Sequence, residues 1–319
     1  MDITWGAGLA HEIPWEWMIA VYLFLAGVAG GAFLTAALTD LFSKQNREKI
    51  VRSGAYIAPI SIIVGLLLLV VDLGKPLSFW KLLIYPNLNS VMSIGVYIVS
   101  AFSAFAVVYG ALVWLDARAA QGIKRAPYGQ KEGARFGDEI AASATAGNAT
   151  FQGLQKFRKP IAAVGSLFAI GTATYTGFLL SDVSTNQLWH TPFLGMDSIP
   201  FLPFLFLVSA LSAGLAATLM GGSSTKDLTV YKKTDMVLIV LEMILLTILY
   251  TSVAPIFFSG SMSMLFWLGV VTVGLIIPLV ITIYALMKHK NIVLPVSVLV
   301  VIGGLSLRFW VVYSGQMFN

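Results

Sequence analysis

The chain has 319 residues, of which 58% are hydrophobic and 11% charged, with a formal net charge of +5, a mean hydropathy of +0.85 and no cysteine. A water-soluble surface cannot be built from that composition, which leaves an integral membrane protein. The missing cysteines exclude a disulfide scaffold, a thiolate zinc site, an iron–sulfur cluster and a cysteine nucleophile within the chain.

A spanning helix needs about 20 mostly apolar residues, because each residue adds a rise of about 1.5 Å across roughly 30 Å of hydrocarbon. Eight stretches qualify, at approximately 15–42, 53–71, 91–115, 160–180, 200–220, 235–257, 262–287 and 292–313, separated by Gly, Pro, Ser and Asn clusters or by charge runs. Continuous apolar runs of this length predict an all-α protein with eight transmembrane helices, not a β-barrel. Asp2, His11, Glu12 and Glu16 precede the first span without an early Lys or Arg, and the span is too long for a signal core, so no cleaved signal peptide is expected.

The basic residues orient the spans. Connections after spans one, three, five and seven carry four, eight, three and two Lys or Arg, whereas the opposite side has only Lys75 and Lys81. The odd-numbered connections are therefore cytoplasmic and both termini periplasmic. The sequence reads as a single membrane domain over 1–319, with a basic cytoplasmic insert at 116–159. On the outer side, Leu77–Asn89 suits either a segment in the interface plane or one packed on the bundle. An even span number permits a four-plus-four repeat, with Leu23-Phe24-Leu25 echoed by Leu205-Phe206-Leu207.

Ionisable residues within spans need a partner or a task. Glu242 is close to mid-bilayer in span six, and Asp235 precedes it by seven residues, which puts both carboxyls on one helix face. That spacing suits a proton path from the cytoplasm; the plainer reading of Asp235 is a helix cap. Tyr22, Tyr175 and Arg308 fall in the outer half, and Asp72 closes span two in VDLGKP at a level compatible with a pair to Arg308. Tyrosines at that depth also serve as interfacial anchors. Gly27 and Gly31 form a GxxxG spacing in span one, suited to close helix packing or to a slot for a flat ring. All three histidines, His11, His190 and His289, fall outside the spans, so paired haem ligands are not expected; nor does a nucleotide-binding glycine motif occur.

Several ordered motifs together resemble the NrfD/PsrC family: WEWMIAVYLFLAGVAGGAF, DLGKPLSFWKLL followed by NSVMSIGVY, YTGFLLS followed by LPFLFLVSALSAGLA, FWLGVVTVGLIIP and LRFWVVYSGQ. The resemblance runs over nearly the whole sequence. It implies two four-helix bundles in a bacterial inner membrane, and a quinol-oxidising membrane subunit of a polysulfide reductase-like respiratory complex. A menaquinol-type quinol is then bound as substrate near the periplasmic face, with Tyr22 and Tyr175 flanking it. Asp72, Asp235, Glu242 and Arg308 match positions tied to quinol oxidation and proton movement. Some relatives have His where this sequence has Asp72, which inclines the comparison toward polysulfide- or thiosulfate-type reduction. The implied partners are a periplasmic iron–sulfur subunit and a catalytic, molybdopterin-type reductase subunit; nucleic acid is not among them. The alternative from another class is a proton-coupled secondary transporter using Asp235 and Glu242, which predicts helices broken at mid-membrane.

Overall fold

The computed structural model describes residues 17–43, 47–72, 80, 84, 87, 90–125, 155–183, 186–193, 195–225, 227–258, 260–288 and 290–317. Among them are eight helices long and apolar enough to cross a membrane. They are α1 (Trp17–Phe42), α2 (Glu48–Asp72), α3 (Val91–Arg125), α4 (Arg158–Ser181), α5 (Leu202–Gly222), α6 (Thr229–Ser252), α7 (Leu265–Met287) and α8 (Val293–Met317). Helices are required because hydrocarbon offers no partner to a backbone N–H or C=O, so each span must satisfy its own.

Two large apolar cores organise the molecule, with two smaller clusters beside them around Leu219 and around Phe24. One gathers Phe33, Ala55, Phe102, Tyr109 and Ala169 from α1 to α4. The other gathers Phe206, Leu246, Phe266, Trp310 and their neighbours from α5 to α8, with Leu23 of α1 joining them. Helices α1 and α5 form the seam: 72% and 78% of their apolar windows are buried, against 28–39% for α2, α3, α4, α6 and α7. Small residues allow that closeness. A side-chain carbon on Gly31 would run into the Ala210 carbonyl of α5, and one on Gly214 would run into the Gly31 backbone. The GxxxG spacing of α1 thus serves helix packing, and the bare backbone faces α5 instead of forming a slot for a ring.

The inner end of the first bundle is tied by charge. Arg158 donates from Nε and Nη2 to the Asp40 carboxylate at 2.8 Å each and from Nη1 to Asp116 at 2.9 Å, while the Tyr109 hydroxyl reaches Asp40 at 3.2 Å. These residues join α1, α3 and α4 where the bundle meets the cytoplasm. At the outer end, the α4–α5 connection grips α8. Trp189 Nε1 donates to the Val311 carbonyl at 2.8 Å, and Asn186 Nδ2 donates to the Gly315 carbonyl at 2.6 Å. The same connection forms a short antiparallel hairpin of β1 (Pro192–Phe193) and β2 (Met196–Pro200), with Pro192 opposite Pro200 and Phe193 opposite Met196. Gly195 at its tip has φ of 79°, a left-handed conformation open to glycine.

Helix boundaries differ from the hydropathy reading. Helix α3 continues to Arg125, beyond the expected end at 115, so the insert at 116–159 begins as helix; residues 126–154 lie outside the described residues. Helix α6 starts at Thr229 and not at 235, and α8 runs to Met317 and not to 313. Hydropathy reports where hydrocarbon ends, whereas a helix continues into water as long as its residues tolerate it. The stretch before α7 is two 3₁₀ turns, Pro255–Phe258 and Gly260–Met262, and Leu265–Ile276 is wound more widely, with Thr272 Oγ1 bonding the Trp267 carbonyl five residues back. Most of Leu77–Asn89, together with Lys75, Lys81, His11 and His289, lies outside the described residues.

Candidate functional site

The first cluster forms in the outer half from three helices. Tyr22 projects from α1 about 8 Å below its outer end and Tyr175 from α4 at about 9 Å, while Asp72 is the last residue of α2. Tyr175 and Asp72 are the ionisable neighbours that act on the Tyr22 hydroxyl. All three side chains are half-buried. The Tyr175 ring fills the space beside Gly95 of α3, and any side chain there would overlap it. A phenol on each of two facing helices, with a carboxylate beside one of them, can hold a flat molecule carrying oxygens and accept a proton from it.

A second polar line crosses the other bundle. Asp235 and Glu242, both only 4% exposed, share the inward face of α6 as their spacing predicts. Glu242 is acted on by the Ser209 hydroxyl of α5 and by the Arg308 guanidinium of α8, and Asp235 is acted on by Glu242. Arg308 is 1% exposed. Its Nη2 donates to the Phe206 carbonyl at 3.1 Å, and its guanidinium carbon stands 3.8 Å from the centre of the Phe206 ring. Toward the cytoplasm, Asp235 shares a narrow cleft with Lys232, Thr282 and Ser297. Asp235 Oδ1 and Arg308 Nε and Nη1 find no hydrogen-bond partner among the described residues. Buried groups of that kind are bridged by water or by a transferable proton.

Two sequence expectations change. The carboxylate acting on Arg308 is Glu242, not Asp72. Arg308 and Glu242 both stand well below the outer ends of their helices, about 14 Å in α8 and about 15 Å in α6, whereas Asp72 is the last residue of α2. Nor does Asp235 cap α6, since the helix begins six residues earlier. The N-cap is Leu228, which has no capping side chain; Asp227 just before it accepts the Thr229 N–H on Oδ1 at 3.1 Å, and the bond holds its carboxyl below the usual range. Ser209, Thr282 and Ser297 escape sequence reasoning because a lone hydroxyl in a span carries no signal of its own. The same holds for the Asp40–Asp116–Arg158 group, whose members are far apart in sequence and near charge-rich span ends.

Comparison with known proteins decides the family. The family model for "Polysulphide reductase, NrfD" matches residues 6–319. The polysulfide reductase of Wolinella succinogenes has a component that is 34% identical over 345 aligned positions, covering 100% of this sequence and 99% of its own. The protein belongs to the NrfD polysulphide reductase family. A protein NrfD homolog of Haemophilus influenzae is 27% identical, covering 96% of this sequence and 95% of its own length. One subunit of the selenate reductase of Mesobacillus selenatarsenatis is 26% identical, covering 96% of this sequence and 74% of its own length. Membership and the eight apolar helices identify a multi-pass protein of the bacterial inner membrane, similar to membrane subunits of reductase complexes.

Proposed function

We propose that this NrfD-family protein oxidises a menaquinol-type quinol in its outer half, between Tyr22, Tyr175 and Asp72. The electrons pass to a periplasmic iron–sulfur subunit and from there to a catalytic, molybdopterin-type reductase subunit acting on a polysulfide- or thiosulfate-type acceptor. The observation that carries the reading is that Tyr22 and Tyr175, about 8 and 9 Å below the outer ends of α1 and α4, and Asp72 at the outer end of α2 meet around the Tyr22 hydroxyl. Full-length similarity to components of a polysulfide reductase and a selenate reductase supports a respiratory setting.

The residues present suit a quinol. Oxidation to the quinone releases two electrons and two protons, so each ring oxygen needs a partner and each proton a destination. Tyr22 and Tyr175 orient the two ring oxygens by hydrogen bonding. Asp72, at the mouth of the site, accepts a proton bound for the outside. The Arg308–Glu242–Asp235 line supplies a route between the outer half and the cytoplasm, with Arg308 acting on Glu242 and Glu242 acting on Asp235. Transport is less well supported, because α1 to α8 run through mid-membrane without an unwound segment among the described residues. Pro278 stands just past Ile276, where the wide winding of α7 gives way to regular α-helix without a loss of helical backbone.

Eight tryptophans make intrinsic fluorescence a usable readout. Titrating the purified protein with a non-oxidisable quinol analogue is expected to give saturable quenching, weakened about tenfold by Tyr175→Phe or Asp72→Asn, the loss of a hydrogen bond of ~1.4 kcal/mol. Absence of saturable binding, also with the iron–sulfur partner attached, would refute the quinol reading.

A further inference from the structure

On the cytoplasmic side, away from the tyrosines, a groove of about 560 Å³ opens between α1, α5 and α6. Leu34, Leu38, Leu211 and Leu215 line its length, and Arg47 and Tyr231 stand at its cytoplasmic end. Leu34 to Phe42 are the last two turns of α1, so the groove climbs about 12 Å from the headgroup level into the inner leaflet. Leu38 is 48% exposed, which leaves the groove open to the surrounding lipid.

The chemistry is divided as it is in a phospholipid. The upper walls are aliphatic and suit an acyl chain. The lower end holds a guanidinium only 11% exposed, stationed 5.1 Å from the centre of the Tyr231 ring, whose hydroxyl is fixed by Thr39 Oγ1 at 2.9 Å. Asp227 meets Arg47 at 3.4 Å through a carboxylate that is 51% exposed, a long contact in which water screens much of the compensation. In sequence, the connections that lead into α2 and α6, with the first turns of those helices, carry Lys44, Arg47, Lys49, Arg52, Lys226, Lys232 and Lys233 against Glu48 and Asp227. Basic clefts between helices on the cytoplasmic side take anionic lipid headgroups. A quinone tail would satisfy the leucines but brings no anion to Arg47.

We propose that this groove binds an anionic phospholipid of the inner leaflet, its phosphate on Arg47 and one acyl chain along Leu34, Leu38, Leu211 and Leu215. The inference is independent of the quinol site, which lies at the other face.

The test is titration of the full-length protein in nonionic detergent with phosphatidylglycerol or with phosphatidylcholine of the same acyl composition, counting bound lipid by native mass spectrometry. Wild type is expected to bind phosphatidylglycerol saturably and in preference to phosphatidylcholine. Arg47→Gln weakens phosphatidylglycerol about fivefold and removes the preference. Leu38→Trp, on an exposed wall position where folding is not at stake, blocks retention without changing charge. Lys159→Gln, on an exposed position of α4 outside the groove, leaves binding unchanged. Equal retention of the two lipids by wild type, unchanged binding in both Arg47→Gln and Leu38→Trp, or an equal loss in Lys159→Gln would each overturn the proposal.

Discussion

Arg308 of α8 and Glu242 of α6 act on one another electrostatically inside the second bundle, and the Arg308 guanidinium is bonded to the Phe206 carbonyl of α5. Three helices are thereby joined through one side chain that cannot give up its charge in any ordinary pH range. Glu242 continues the line to Asp235, so the residue that fixes the packing of α5, α6 and α8 also ends a polar route from the cytoplasmic side.

Glu242→Gln or Arg308→Gln removes one of two buried charges that act on each other; each is expected to cost about 1–3 kcal/mol, and the double substitution less than the sum of the two. Unfolding in detergent, followed through a double-mutant cycle, measures the coupling. Additive losses would mean the two side chains do not act on one another.

The Arg158–Asp40–Asp116 group is structural. Asp40→Asn is expected to lower stability by about 2–3 kcal/mol through weakened bonds to the guanidinium, while quinol-analogue affinity stays as in wild type. Parallel unfolding and fluorescence titrations separate the two effects.

Close approach of α1 and α5 depends on Gly31 and Gly214. Gly31→Leu is expected to abolish the monodisperse folded species on size-exclusion chromatography, since the new side chain meets α5 backbone, which cannot turn aside. Gly195→Ala, with nothing within 4 Å of the added carbon, meets only the left-handed φ and is expected to cost about 1 kcal/mol.

Asp227 gives a small pH signature. Its folded carboxyl titrates below the ordinary value of 3.8, so its contribution is present above that value and fades as pH falls through the lower folded one. Asp227→Asn is expected to flatten that acid limb and leave neutral stability nearly unchanged. Unfolding midpoints of both proteins across the acid range check it.

Much of the architecture is written in composition and period. Eight apolar runs specify the span number, because hydrocarbon thickness sets the length of a span, and the GxxxG spacing specifies a close helix approach without saying which helix makes it. Asp235 and Glu242 are legible as a pair since one helix carries both. The partner of Arg308 is not. Arg308 lies about 14 Å below the outer end of α8 while Asp72 closes α2, and which carboxylate faces it at that depth is decided by how α5, α6 and α8 pack. Ser209, Thr282, Ser297 and the Asp40–Arg158 contact arise only when helices remote in sequence meet, and no local pattern encodes such a meeting.

The central claim is the position of the quinol, and photo-crosslinking tests it most directly. An azido-quinone bound to the full-length protein, illuminated and mapped by peptide mass spectrometry, is expected to label the outer turns of α1 and α4 around Tyr22 and Tyr175, with excess quinol analogue preventing the label. Labelling confined to the inner groove at Leu34–Phe42, or labelling that excess analogue does not reduce, would contradict it.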